Sequence, residues 1–216
     1  MARTILENRI ALILGIDSAP GRACAQQLSR LGCRVLLASR ASEKVQTLTD
    51  QLQRKGGNPS EVHLSRDTAQ WQPLFRSARD NQGHIHVVVN ALALCYDEDG
   101  LGETAARALE EAKAADIMAA ELLDGHGPLK MISLCPEGAI ESYPTIEGVW
   151  HGIVELGPYQ RLDSQSAKDL DATGIEHLKA GGIGDAVTML LHLPPTTCPA
   201  RLRLEAVASS EKKGKG

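Results

Sequence analysis

Glu147 and His151 stand four residues apart, a spacing that on a helix brings a carboxylate against an imidazole and would make an acid–base pair. The plainer account of the same spacing is an exposed contact near a subunit surface. Cys135, directly before Pro136, has no evident neighbouring base, so a structural thiol is expected rather than a nucleophile. His84 and His86 alternate along a predicted strand and face the same side, which offers two metal ligands. No cysteine or carboxylate at metal spacing joins them, and a half-exposed strand end is expected instead. Gly15 and Gly21 bracket a tight turn, GIDSAPG, of the kind that can hold a phosphate at a helix start. Arg40 follows an aliphatic run, where a cation could meet an anion or simply stand in solvent.

The elements that must position these groups alternate regularly. Arg9 to Leu14 reads as a strand, Arg22 to Leu31 as a helix closed by Gly32, and Arg34 to Ala38 as a second strand. Ser42 to Lys55 is an amphipathic helix with Val45, Leu48 and Leu52 on one face. A short strand at Glu61 to Leu64, a helix at Trp71 to Asp80 and a β-branched strand at His84 to Val89 follow. Thr104 to Leu123 is a long Ala-rich helix and Leu129 to Leu134 a fifth strand. Gly148 to Pro158 suits either a short helix or a strand. Asp185 to Leu193 reads as a helix and Arg201 to Val207 as an edge strand. Alternating strands and helices call for a doubly wound, Rossmann-like α/β parallel sheet with helices on both faces.

The chain has 216 residues, 43% hydrophobic and 23% charged, as expected of one globular domain. Residues 1–208 are assigned to that domain and 209–216, which carry no apolar side chain, to a disordered tail. A net charge of −4 argues against a nucleic-acid surface. No apolar run approaches the length of a membrane span. Five widely spaced cysteines without a Cys-x-x-Cys fit reduced thiols in the cytoplasm. Aromatics make up only 3%, so the core must be aliphatic.

The order of these parts resembles the short-chain dehydrogenase/reductase family over roughly Arg9 to Val207. The resemblance rests on RIALILGIDSAPGRACAQQLSRLG, RVLLASR, Asp67, GHIHVVVNALA, KMISL and IGDAVTMLLHL. It implies a nucleotide loop T-G-x-x-x-G-x-G, aligned with Leu14 to Gly21. Gly15 and Gly21 match. Ala19 replaces the middle glycine, Pro20 removes an N–H, and Asp17 brings negative charge toward the pyrophosphate place. By the same resemblance Arg40 would meet a 2′-phosphate and Asn90 would support the adenosine pocket. Gly15, Gly21, Arg40 and Asn90 are expected to be vestiges of a cofactor site.

The family's catalytic set is an Asn, a Ser, a Tyr and a Lys four residues beyond the Tyr. The tyrosines here, 96, 143 and 159, are followed four residues on by Gly100, Glu147 and Asp163. The serine place falls on Leu134, with Ser133 one residue early and aimed at the opposite face. The tyrosine and lysine places fall near Glu147 and His151. In a second alignment, HGIVELGP is the sixth strand and the helix carrying Tyr and Lys is shortened or deleted.

The resemblance therefore implies a subunit without catalysis of its own, expected to bind no cofactor. It would pair in a heterodimer or heterotetramer with an active NAD(P)-dependent paralogue of the family. Mixed assemblies of this type include a hydroxyacyl-CoA dehydrogenase of anaerobic toluene breakdown. The assembly surfaces would lie on Thr104 to Leu123, Asp185 to Leu193 and Arg201 to Val207. The other readings are a divergent enzyme using Glu147, His151, Ser133 or Cys135 in the old cleft, and a nucleotide-sensing regulator.

Overall fold

A computed structural model describes residues 6–95, 105–123, 128–157, 178–194, 196–197 and 201–206. Seven strands form one sheet: β1 (Ile10–Leu14), β2 (Arg34–Ser39), β3 (Asn58–His63), β4 (Val87–Asn90), β5 (Lys130–Pro136), β6 (Trp150–Leu156) and β7 (Arg201–Leu204). The order across the sheet is β3-β2-β1-β4-β5-β6-β7, and every pairing is parallel. The order reverses between β1 and β4, which opens a crevice at the carboxyl ends of those strands, where open α/β sheets bind ligands.

Because side chains alternate along each strand, the sheet presents two apolar faces. Ala11, Ile13, Val35, Leu37, Val89 and Leu134 meet α1 (Ala19–Arg30), α2 (Ser42–Arg54) and α5 (Ala180–Leu191). Leu12, Leu14, Leu36, Val88, Met131 and Ile153 meet α3 (Trp71–Gln82) and α4 (Ala105–Leu123). The core is aliphatic apart from Trp71, Phe75, Tyr143 and Trp150. The small side chains Ala108, Ala112, Ala115 and Ala119 form a buried stripe that lets α4 lie close on the sheet.

Several boundaries differ from the sequence reading. Of the stretch Gly148 to Pro158, read as either helix or strand, Trp150–Leu156 forms a strand, β6, buried along its whole length, and Pro158 lies outside the described residues. His84 and His86 precede β4 instead of lying in it, and their rings meet edge to face at 4.4 Å. No group of three potential metal ligands forms among the described residues. Strand β3 starts at Asn58 and ends at His63, because pairing with β2 rather than apolar content decides an edge strand. Helix α1 starts at Ala19, earlier than its apolar spacing indicates, since Ser18 caps it and Pro20 fits its first turn. Among the described residues no helix is long and apolar enough to cross a membrane. The tail 209–216 lies outside the described residues, as do Cys198 and the glycines 125 and 127.

Candidate functional site

The glycine loop joins β1 to α1 at the mouth of the crevice. Gly15 adopts φ +80°, and a Cβ there would stand 2.7 Å from the Ala91 carbonyl carbon. A Cβ on Gly21 would come within 2.3 Å of the Gly15 oxygen. Both glycines are thus required by close backbone packing within the chain itself. Ser18 Oγ donates to the Gly15 oxygen at 2.9 Å and accepts from the Gly21 N–H at 3.1 Å. Of the first-turn donors, Gly21 is therefore capped internally and Pro20 has none.

Asp17 does not face a pyrophosphate place, contrary to the expectation from sequence. Its carboxylate turns to the end of β2, accepting from the Ser39 hydroxyl and, at 3.3 Å, from the Arg40 N–H. Arg40 crosses from β2 to α4 and its guanidinium is ion-paired with Glu111, the two side chains 8% and 9% exposed. Arg107, one turn earlier on α4, donates to the other Glu111 oxygen at 3.0 Å. A bridge of three charged side chains thus spans the carboxyl-end crevice. Arg40 is engaged with a carboxylate of this chain at the position expected to receive a 2′-phosphate.

Asn90 ends β4. Its amide nitrogen donates to the Ala112 carbonyl at 2.8 Å and to Asp116 Oδ1 at 2.9 Å, while its oxygen accepts from the Leu92 N–H at 3.0 Å. Asp116 belongs to α4 and is fully buried. Its other oxygen, Oδ2, stands 2.6 Å from Ser133 Oγ, and the same hydroxyl lies 2.8 Å from His151 Nε2. The buried Tyr143 hydroxyl adjoins this group without a hydrogen bond of ordinary geometry.

Burial pushes the Asp116 carboxyl up to about 7, against hydrogen bonds that pull it down. Burial lowers His151 to about 4. It raises the Tyr143 phenol well above its ordinary value, with the Asp116 charge adding to the effect. The Cys135 thiol is raised to about 12, by burial first and then by Glu155 and Asp116. This thiol is buried and held protonated.

The pairing of Glu147 with His151 is overturned. Strand β6 begins at Trp150, so no helical turn joins the two residues; Glu147 is exposed in the preceding loop and His151 is buried on the strand. Leu134 faces the α1, α2 and α5 layer, whereas Ser133 faces α4, where the polar groups lie. Residues 137–149 contain a single 3-10 turn, Ile140–Ser142, and no longer helix. Glu155 of β6 pins this connection by accepting from the Gly138 N–H at 3.0 Å and the Ile140 N–H at 3.1 Å.

Asp116 and Glu111 had no place in the sequence reading of the site, and Tyr143 entered it only as a tyrosine without a lysine four residues on. An acid in a long Ala- and Glu-rich helix reads as a solvated face. The one available signal is that Asp116 follows Ala115 within the small-residue stripe, among residues that must touch the sheet.

A family model described as short chain dehydrogenase matches residues 9–123. An uncharacterised oxidoreductase of Staphylococcus aureus is 30% identical over 90 residues, covering 41% of this chain and 38% of that protein. The chain thus matches well under half the length of that relative. The L-sorbose reductase of Gluconobacter frateurii, solved with NADPH and L-sorbose, superposes with a TM-score of 0.74 at 13% identity, over 95% of this chain and 98% of that one. An alcohol dehydrogenase of the archaeon Thermococcus sibiricus, complexed with 5-hydroxy-NADP, gives a TM-score of 0.68 at 18% identity, over 96% and 100%. These two likenesses establish the shared fold.

Proposed function

The chain belongs to the short-chain dehydrogenase family, and from that premise we propose that it is a subunit without catalysis of its own, which pairs with a complete NAD(P)-dependent member of the family. The observation that carries this reading is the connection between β5 and β6. Residues 137–149 hold no helix bearing a tyrosine and a lysine one turn apart, and none of the three tyrosines in the chain has a lysine four residues on. The family's hydride chemistry needs that phenol as its proton donor and that ammonium to ease its ionisation.

The cleft supports the same reading. A dinucleotide would need loop donors and a gap at the end of β2, and NADP in addition a cation for its 2′-phosphate. Here Ser18 takes the Gly21 donor, Pro20 has none, and Arg40 is closed onto Glu111. We read these residues as not fitting the cofactor, and no chemical step is assigned to it. For a divergent enzyme, Glu147 is exposed apart from His151 and Cys135 and the thiol is held protonated, so such a reading would rest on His151 with Ser133, both buried.

Such pairing would use the exposed side of α4. Ile117 is 44% exposed beside Pro144, Ile146 and Val149, on the side of the β5–β6 connection, with Glu121, Thr145 and Glu147 lining the same depression. The experiment is co-expression with a complete short-chain dehydrogenase from the same genome, followed by native mass measurement and NAD and NADP titration of this chain alone. A mixed dimer or tetramer, with no nucleotide bound by this chain, is expected, and Ile117→Arg should dissociate it. A self-associated chain that binds nucleotide tightly would refute the reading.

A further inference from the structure

At the end of the sheet opposite the crevice, a cavity of about 410 Å³ opens beneath the amino ends of the central strands β1, β4 and β5. Its size is that of a small-molecule site. Leu6, Val87, Leu191 and Leu193 supply apolar walls, and among the described lining residues the charged ones are Arg9 and Lys130, with no carboxylate.

The polar groups are fixed by the fold. Lys130 Nζ donates to the Leu191 carbonyl at 2.7 Å and also to the Leu193 carbonyl, and it sits 4.9 Å above the Trp150 ring. The carboxyl end of α5 would by itself repel an anion; the ammonium on its last carbonyls offsets that. His86 Nδ1 accepts the Ile10 N–H at 3.2 Å, which puts the ring proton on Nε2 as a donor. Arg9 is exposed at the rim; its backbone N–H donates to the Leu6 carbonyl and its carbonyl accepts from the Arg34 N–H, while its guanidinium has no hydrogen bond or ion pair among the described residues. Its planar fork suits a carboxylate.

We propose that this cavity binds a small apolar monocarboxylate, with the hydrocarbon against Leu6, Val87, Leu191 and Leu193 and the carboxylate at Arg9 and the His86 Nε2–H. The site is separate from the carboxyl-end crevice and uses none of its residues.

The test is calorimetric titration of the full chain with octanoate and with 1-octanol, which shares the chain length and lacks the charge. Octanoate should saturate the protein and bind about tenfold more tightly than the alcohol, a difference of about 1.4 kcal/mol. Arg9→Gln, at an exposed position, should bring octanoate down to the level of the alcohol and leave the alcohol unchanged. Absence of octanoate saturation, equal affinity for the two probes, or an unchanged octanoate affinity in Arg9→Gln would each overturn the proposal.

Discussion

Ser133 Oγ lies 2.6 Å from Asp116 Oδ2, and this bond sets how the buried cluster holds its protons. A hydroxyl has one proton to give, and His151 Nε2 approaches the same oxygen at 2.8 Å. With Asp116 protonated, the acid donates to Ser133 and Ser133 donates to His151. With Asp116 ionised, Ser133 donates to the carboxylate and must receive from His151, whose proton then sits on Nε2. Ionisation of one residue therefore reverses the direction of two hydrogen bonds.

The first prediction concerns stability against pH. Asp116 has a raised pKa in the fold, about 7, so its contribution is present at low pH and lost as pH rises through 7. His151 has a lowered pKa, about 4, so its contribution is present above 6.5 and lost as pH falls through 4. Between about 4 and 6.5 the two slopes oppose each other, and unfolding takes a proton from the acid and gives one to the imidazole. His151→Gln should leave a chain whose stability falls as pH rises from about 4 to 7. Asp116→Asn should leave one whose stability rises from about 4 to 6.5. Urea unfolding across this range measures both, and parallel profiles for the two variants would contradict the assignment.

A second prediction concerns the charge bridge. Removing Glu111 leaves Arg40 buried without that counter-charge, so Glu111→Ala should cost about 3–5 kcal/mol, as expected when one member of a buried pair is deleted. Replacing both residues, as in Arg40→Met with Glu111→Leu, should recover most of the loss. A double-mutant cycle in denaturant tests this, and independent, additive effects would argue against coupling.

Glycines separate cleanly by their surroundings. Gly21→Ala would drive a methyl to 2.3 Å from the Gly15 oxygen and should cost about 2 kcal/mol or more. Gly181→Ala, in the open first turn of α5, should be neutral or gain up to about 1 kcal/mol. Thermal unfolding of the two variants distinguishes the cases, and similar midpoints would refute the packing argument.

Thiol labelling gives a fourth check. Burial raises Cys24 and Cys135 to about 12 and Cys33 to about 11, which holds them as thiols at pH 8. Cys95 is only half-buried. Iodoacetamide followed by site-resolved mass spectrometry should find Cys95 modified before those three, and early labelling of Cys135 would restore it as a reactive group.

The layered fold is legible because its signals are local. Val87 to Val89 are β-branched and apolar, and Leu48 and Leu52 repeat at one helical turn, so each segment declares its own periodicity. The stretch around His151 carries a short apolar run that serves helix or strand equally well. Only its pairing with β5 settles it, which places His151 beside Met131 and brings it within reach of Ser133. Asp116 is harder still, since its partners Asn90, Ser133 and His151 come from three strands distant in the chain. Arg40 was rightly placed at the end of β2, but the residue it meets comes from α4, 71 positions later.

The contact between Gly15 and Gly21 has a bearing on how such chains evolve. Each glycine is demanded by a neighbouring backbone atom, so the signature would be retained by selection for a well-formed first strand and helix even where no ligand enters. A scaffold that depends on those two positions can lose its old chemistry and still carry a recognisable badge of it. Those two glycines therefore say little about ligand binding, and the positions between them, here Ala19 and Pro20, carry more of that information.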